Sequence, residues 1–339
     1  MTCDPNNAAV YLSKFTILYG TSGAGKTTVI RHIIAMLSPH LRIVHIFSGS
    51  DDSGNSNFAD ISPADIISSE ITPDRLTSIF TKQVPHAKRY AEINDMDIMK
   101  GLAKLIATPA QLTKLKGISG KFKALPDEPA AIKSNARSML LRYYHSIILE
   151  ADLSVLPGDM ADKISTTREL IRRYAKPPCI ALIIDDCSDR RGDWAKSAII
   201  KTLAYKARHY HITTILADQG QSLETDVRVG AHNHIFMNAD SLRRTFSLTA
   251  SGLRLSKSES ALVERLFAEA AAIGSVSNRQ TFATVARCKF GANVQYGLIK
   301  YAASTAFDKW VLSAPLCGLF QRPDKKKTLL QFLERVAKK

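Results

Sequence analysis

Gly20-Thr21-Ser22-Gly23-Ala24-Gly25-Lys26-Thr27-Thr28 is the stretch that decides the fold of this 339-residue chain. The apolar run Phe15-Thr16-Ile17-Leu18-Tyr19 precedes it, and Val29-Ile30-Arg31-His32-Ile33-Ile34, with helix-like spacing, follows. A strand, then G-x-x-x-x-G-K-[ST], then a helix is the context in which this pattern is a phosphate-binding loop. Small residues let the backbone curl into a nest of N–H groups aimed at phosphate oxygens, and the helix N-terminus adds the positive end of its dipole. On this reading Gly20 to Thr28 cradle a nucleotide. Lys26 reaches the β- and γ-phosphates, Thr27 holds Mg²⁺ through its hydroxyl, and Thr28 touches the α-phosphate. The competing reading is a plain glycine-rich turn, which the flanking strand and helix disfavour.

Two later apolar runs end in polar groups suited to the same chemistry. Ile180-Ala181-Leu182-Ile183-Ile184 leads into Asp185 and Asp186. Beside the loop strand, Asp185 would hold a metal-bound water, and Asp186 would orient or deprotonate the attacking water. Two acids after an apolar run also cap turns, which is the bland alternative. Thr213-Thr214-Ile215-Leu216-Ala217-Asp218 ends at Gln219. If that strand adjoins the loop strand, Gln219 faces the γ-phosphate and reports hydrolysis; otherwise it is a loop glutamine in water. A strand inserted between the loop strand and the Asp185 strand marks additional-strand ATPases rather than GTPases and nucleoside kinases.

The remaining pattern is α/β. Residues 14–19 and Arg42–Phe47 read as strands, with a helix over 26–37 between them. More than 130 residues separate Phe47 from the next buried strand, far beyond a crossover helix. Residues of about 80–175 therefore read as a mostly helical insertion, with Ala136–Leu149 at helical spacing. A helix at Trp194–His209, strands at Ile212–Ala217 and His234–Met237, an amphipathic helix after Ser258, and strands at Thr281–Arg287 and Val294–Tyr301 complete the pattern. The domain limits are a 1–13 extension, a 14–305 core and a basic tail at 306–339.

Net charge is +15, which points to a polyanionic partner. It is concentrated. Lys100 to His145 carries nine Lys/Arg against Asp127 and Glu128, and Gln321 to Lys339 carries seven against Asp324 and Glu334. Solvated basic faces are the bland reading, nucleic acid the sharper one and a membrane surface the weaker competitor. Within the first run Phe122, Tyr143 and Tyr144 are the aromatic candidates for stacking on bases, and core roles compete for them. Duplex DNA is thereby favoured over single strands. Five cysteines (Cys3, Cys179, Cys187, Cys288, Cys317) form no C-x-x-C, which argues against a zinc site or a disulfide framework and for a reducing compartment. No run approaches membrane-spanning length and no signal-peptide pattern opens the chain, so a soluble intracellular protein without membrane insertion is expected.

Leu203-Ala204-Tyr205-Lys206-Ala207-Arg208-His209-Tyr210-His211-Ile212-Thr213-Thr214-Ile215-Leu216-Ala217-Asp218-Gln219 resembles the helix–strand–Gln stretch of the FtsK–HerA superfamily of DNA-pumping ATPases. The Arg-His-Tyr-x-Ile-Thr-Thr-Ile wording, the Asp185-Asp186-Cys187 run and Phe47-Ser48-Gly49-Ser50-Asp51-Asp52 through Asn57-Phe58 look closer to one branch, the genome-packaging ATPases of nucleocytoplasmic large DNA viruses. The resemblance covers about residues 14–60 and 179–250. It implies a RecA-like additional-strand P-loop core with a mostly parallel sheet. It also implies ATP and Mg²⁺ as ligands, and a homo-oligomeric ring that drives double-stranded DNA into a preformed capsid, with a capsid or portal component as partner. Infected-cell cytoplasm or virion is the implied location. Lys26 and Thr27 fall on the Walker A positions, Asp185 on the Walker B metal position and Gln219 on the sensor position. Cellular relatives carry Glu where Asp186 stands; the viral branch often has the same Asp-Asp. A ring motor also needs a cation from the neighbouring subunit. Arg228, Arg243 and Arg244 lie where the superfamily usually places it, with surface salt bridging as the alternative for each. A cellular or plasmid FtsK/HerA-type translocase, a P-loop nucleotide kinase and a non-hydrolysing ATP switch are the competing functions.

Overall fold

A computed structural model describes residues 3–49, 57–61, 67–123, 130–187, 193–218, 223–247, 255–276 and 281–303. The elements are, in chain order, β1 (Phe15–Tyr19), α1 (Lys26–Leu37), β2 (Ile43–Ser48), β3 (Ile67–Ser68), α2 (Pro73–Ile93), α3 (Met96–Ile106), α4 (Pro109–Lys123), α5 (Ala130–Glu150) and α6 (Gly158–Arg173). They continue with β4 (Ile180–Asp185), α7 (Ala198–Lys206), β5 (Ile212–Asp218), α8 (Thr225–Gly230), β6 (Asn233–Phe236), α9 (Ala239–Ser247), α10 (Lys257–Val276), β7 (Thr281–Phe290) and β8 (Asn293–Ala302). Gln219, Ser50 to Asp52 and the basic tail lie outside the described residues.

The eight strands form one sheet in the order β3-β2-β4-β5-β1-β6-β7-β8. From β3 to β6 every pairing is parallel; β7 and β8 are added antiparallel. β5 therefore stands between β1 and β4, the order of a RecA-like additional-strand ATPase and not of a P-loop kinase. Because the strands are parallel and in register, Tyr19 pairs with Asp218 and Ser48 with Asp185. The carboxyl ends of β1, β2, β4 and β5 thus share one sheet edge, where α/β folds bind ligands.

Burial on both faces explains why β1 and β4 read as continuous apolar runs instead of alternating ones. Leu18, Val44, Ile46, Ala181, Ile183 and Ile215 face a core completed by Val29, Ile30, Ile33 and Ile34 of α1. Ile17, Tyr19, Leu182, Ile184 and Leu216 join Ile199, Ile200 and Leu203 of α7 and Val263 and Leu266 of α10 in the other.

Three local details depart from the sequence reading. The helix expected over Trp194–His209 is split into a 3-10 turn at Asp193–Lys196, α7, and a 3-10 turn at Ala207–Tyr210 closed by His211 at φ 56°. The sequence reading places no element at β3, α8 or α9; β3 and α8, with two and six residues, are too short for a period to be visible. The chain before β1 packs on β8: Cys3 N donates to Tyr296 O at 3.0 Å, Asn6 Nδ2 to Leu298 O at 3.1 Å, and Lys300 N to Asn6 Oδ1 at 3.0 Å. Such a cover blunts an otherwise open sheet edge.

The chain divides into two compact units, Val84–Pro178 and the remainder. The Val84–Pro178 unit is helical. Its core holds Met99, Leu102, Leu115, Leu140, Tyr144, Ile147, Ile148, Ile164 and Ile171. Asp95 caps α3, accepting from Asp97 N at 2.9 Å and Ile98 N at 3.1 Å. Lys100, Lys104, Lys114, Lys116, Lys133, Arg137 and Arg142 are all exposed. Tyr144 is a core residue, and the half-buried Tyr143 has the Lys114 ammonium 4.9 Å from its ring centroid; the Phe122 side chain is outside the described set. Among the described residues no helix is long and apolar enough to cross a membrane, and Cys3, Cys179, Cys187 and Cys288 form no disulfide.

Candidate nucleotide site

The loop from Gly20 to Gly25 leaves β1 at the shared sheet edge. Gly20 N donates to Asp218 O of β5 at 3.3 Å, and a Cβ on Gly20 would fall 2.8 Å from Met237 Cγ, so only glycine fits there. Gly23 and Gly25 adopt φ of 72° and 88°, the left-handed region open to glycine. Gly25 is also the N-cap of α1 and makes no side-chain cap hydrogen bond. The first-turn N–H groups of a 12-residue helix are thus left without a side-chain acceptor, which is what an incoming phosphate supplies.

Lys26 is 6% exposed, and its Nζ donates to Gly20 O at 2.9 Å and Thr21 O at 2.8 Å. Burial lowers its pKa, opposed by the carboxylates of Asp185, Asp186 and Asp218. Across the loop, Thr27 Oγ1 donates to Asp185 Oδ2 at 2.7 Å. Asp185 is 2% exposed; burial raises its pKa, while the Thr27 hydroxyl and the Lys26 ammonium pull the other way. A hydroxyl and a carboxylate in contact are the hard oxygen donors Mg²⁺ takes from a protein when substrate phosphates and water complete its shell. The donor set therefore fits Mg²⁺ with a nucleotide.

Asp186 follows at the end of β4 with φ 50°, a conformation that Asp and Asn tolerate better than most residues. Its carbonyl is pressed against Gly49, the residue after β2. A Cβ on Gly49 would lie 2.0 Å from Asp186 O and 3.0 Å from Asp186 C. The turn that aims Asp186 thus depends on a missing methyl on a neighbouring strand.

Ser22, Gly23, Gly25, Lys26, Thr27, Asp185 and Asp186 line one cleft of about 250 Å³, together with Asn57. Asn57 had entered the sequence reading only within a resembling stretch, with no role attached. It is held there by Arg31 of α1, which donates to the Asn57 carbonyl and forms a two-pronged ion pair with Asp60 at 2.7 and 2.5 Å. No local pattern announces a bond between positions 29 apart. Behind the site lies a second unforeseen group. His234 is fully buried, stacks parallel to Tyr19 and Phe236, and shares a 3.2 Å hydrogen bond with the Tyr19 hydroxyl. Burial, then the charges of Arg287 and Lys289, push its pKa down to about 3.

Of the other expected residues, Ala24 packs at the base of the loop near Gly20, and Thr28 is half-buried in the first turn of α1. Gln219 is outside the described residues; its strand β5 does adjoin β1. The three arginines separate. Arg228 is 5% exposed in α8, whereas Arg243 and Arg244 are exposed on α9, Arg243 lying 3.8 Å from Asp240.

No protein-family model matches the chain. It is 25% identical over 272 residues to an uncharacterized protein, B354L, of African swine fever virus (isolate Pig/Kenya/KEN-50/1950), covering 76% of this chain and 75% of that one. The Warthog/Namibia isolate's protein is 24% identical over 270 residues, with the same coverage. Among solved structures, the plasmid coupling protein TrwB in complex with ADP and Mg²⁺ aligns at TM-score 0.35 and 12% identity, over 90% of this chain and 89% of TrwB. B204, the DNA-packaging ATPase from Sulfolobus Turreted Icosahedral Virus, aligns at TM-score 0.32 and 12% identity, over 84% of this chain and 97% of B204. At these scores the fold rests on the strand order given above.

Proposed function

We propose that this chain, built on an additional-strand P-loop ATPase sheet, is an ATP-driven translocase of double-stranded DNA that packages a viral genome into a preformed capsid as a ring of identical subunits. The observation that carries the ATPase part is the convergence of Lys26, Thr27, Asp185 and Asp186 on one cleft at the carboxyl ends of β1 and β4. Lys26 leaves its two carbonyl partners to meet the β- and γ-phosphates, and the Gly20–Thr28 backbone and side chains wrap the rest of the chain of phosphates. Thr27 and Asp185 hold Mg²⁺, which neutralises charge on the phosphates when bound.

Asp186 is the group that accepts the proton of the attacking water. The water oxygen bonds to the γ-phosphorus, the bond to the β–γ bridging oxygen breaks, and ADP leaves with that electron pair. Gln219, which follows β5 in the sequence, senses the γ-phosphate. A ring needs one more cation from the adjacent subunit, and exposed Arg243 and Arg244 suit that task better than buried Arg228.

The DNA part rests on charge and on the motif resemblance. Exposed cations of the helical unit and the basic residues Arg322, Lys325, Lys326 and Lys327 suit phosphate contacts that carry no sequence information, which a motor moving over any sequence needs. Similarity to a virus protein supports the viral setting, with infected-cell cytoplasm or virion as location and a capsid or portal component as partner. A cellular or plasmid translocase shares every one of these features except that relative.

Phosphate release measured with and without duplex DNA is the test. Hydrolysis stimulated by duplex DNA and abolished in Lys26→Ala is expected. Phosphate moving to a nucleotide acceptor, or hydrolysis indifferent to DNA at low salt, would sink the motor reading.

A further inference from the structure

We infer that Asn57 is a nucleotide-contacting residue that distinguishes triphosphate from diphosphate, presented to the γ-phosphate by the Arg31–Asp60 ion pair. This rests on the ATPase reading of the cleft and adds a residue to it.

Asn57 lines the same cleft as Ser22, Lys26, Asp185 and Asp186. On the ATPase reading, Lys26 and Asp186 face the terminal phosphate, so a residue that shares their cleft belongs to the surroundings of that phosphate. Two carboxylates already crowd this wall, and a third anion would repel the phosphate. A neutral carboxamide does not: its NH₂ donates to a phosphate oxygen and its carbonyl accepts from a water.

Asn57 is itself exposed, but its backbone is anchored. Phe58, next to it, and Ile61, four residues on, are 0% exposed in the α1 face of the core. Arg31, five residues along α1 from Lys26, grips the Asn57 carbonyl and both oxygens of Asp60. Planar two-pronged Arg–carboxylate pairs fix geometry as well as contribute energy. The helix that begins with Lys26 therefore also sets where Asn57 stands. Because Arg31 holds the backbone carbonyl, truncating the Asn57 side chain leaves the anchor in place.

The experiment titrates the full-length protein with Mg²⁺–ADP and with a Mg²⁺-bound non-hydrolysable ATP analogue. In Asn57→Ala the analogue is expected to bind about tenfold more weakly, the loss of one hydrogen bond to a charged group, with ADP affinity unchanged. Asn57→Asp should weaken the analogue further by like-charge repulsion while still sparing ADP. Arg31→Gln, which keeps the Asn57 side chain but frees its backbone, should reproduce the selective loss. Equal weakening of both nucleotides, or no weakening of the analogue, overturns the inference. If the unmodified protein binds neither nucleotide, it is the ATPase reading that fails instead.

Discussion

Gly49→Ala is the most discriminating single change this fold offers. Gly49 has no left-handed φ, so the substitution adds no backbone strain of that kind; its whole effect comes from one methyl group. That methyl would sit 2.0 Å from Asp186 O, whereas carbon–oxygen contacts settle at about 3.3 Å. The neighbour that must yield is backbone, roughly 1.3 Å of it. It belongs to the residue proposed as base. A misplacement of about 1 Å at a reacting group costs on the order of 10²-fold in rate. Turnover should therefore fall about 100-fold, or about 2.7 kcal/mol in the barrier. Nucleotide affinity should hold within about twofold, because Lys26, Thr27 and the loop amides approach the phosphates from β1 and α1, and uniform binding is untouched when only the transition state loses support. Steady-state phosphate release gives the first number and titration with a fluorescent ATP analogue the second. Near-normal turnover in a folded Gly49→Ala protein would refute the steric link between β2 and Asp186. So would a parallel collapse of nucleotide binding, which would mean the methyl disorders the whole edge.

Other substitutions probe the remaining parts. Lys26→Ala should abolish measurable nucleotide binding in the same titration, since it removes the cation over the loop. Asp186→Asn keeps a residue that accepts the left-handed turn and removes only the charge, so ATP should remain bound and hydrolysis stop; turnover at the unmodified rate would remove Asp186 from the mechanism. Arg228→Ala should lower the melting temperature, as expected when a buried charged side chain is deleted; if the proposed ring forms with Arg243 or Arg244 as its trans-acting cation, loss of that arginine should cost on the order of 10³-fold in turnover with the melting temperature unchanged. His234 should make the fold acid-sensitive. Its pKa falls from 6.5 to about 3 on folding, so the unfolded chain binds the extra proton and stability drops as pH falls below 6.5. The loss from this residue is about 2 kcal/mol by about pH 5, and thermal melts of His234→Asn across that range should show a flatter profile.

Much of the site was legible because its signals are local. A nest of backbone amides, a lysine and a threonine at fixed spacing are nine consecutive residues, and their conformation follows from glycine's freedom at Gly23 and Gly25 and from the helix they open. The Asp185 strand was equally plain: a parallel strand covered on both faces must be apolar along its whole length, and the first carboxylate then marks where it emerges at the ligand edge. Residues such as Asn57 and Gly49 were not legible in role. Their significance lies in what stands opposite them, and nothing in a run of Ser, Gly and Asn distinguishes a cleft wall from a surface turn.

By itself, then, the amino-acid order determined the glycine-rich loop that opens α1, the strand that ends in Asp185 and the alternation of strands and helices, since each depends on backbone preferences and hydrophobic periods within a few residues. Tertiary structure alone decided that β5 slots between β1 and β4, that Gly49 yields space to the Asp186 carbonyl, that Arg31 reaches Asp60 to hold Asn57 in place, and that Arg228 is buried while Arg243 and Arg244 are exposed. Those are contacts between distant parts of the chain, set by how helices cover the two faces of a twisted sheet, and close packing leaves room for only one such arrangement.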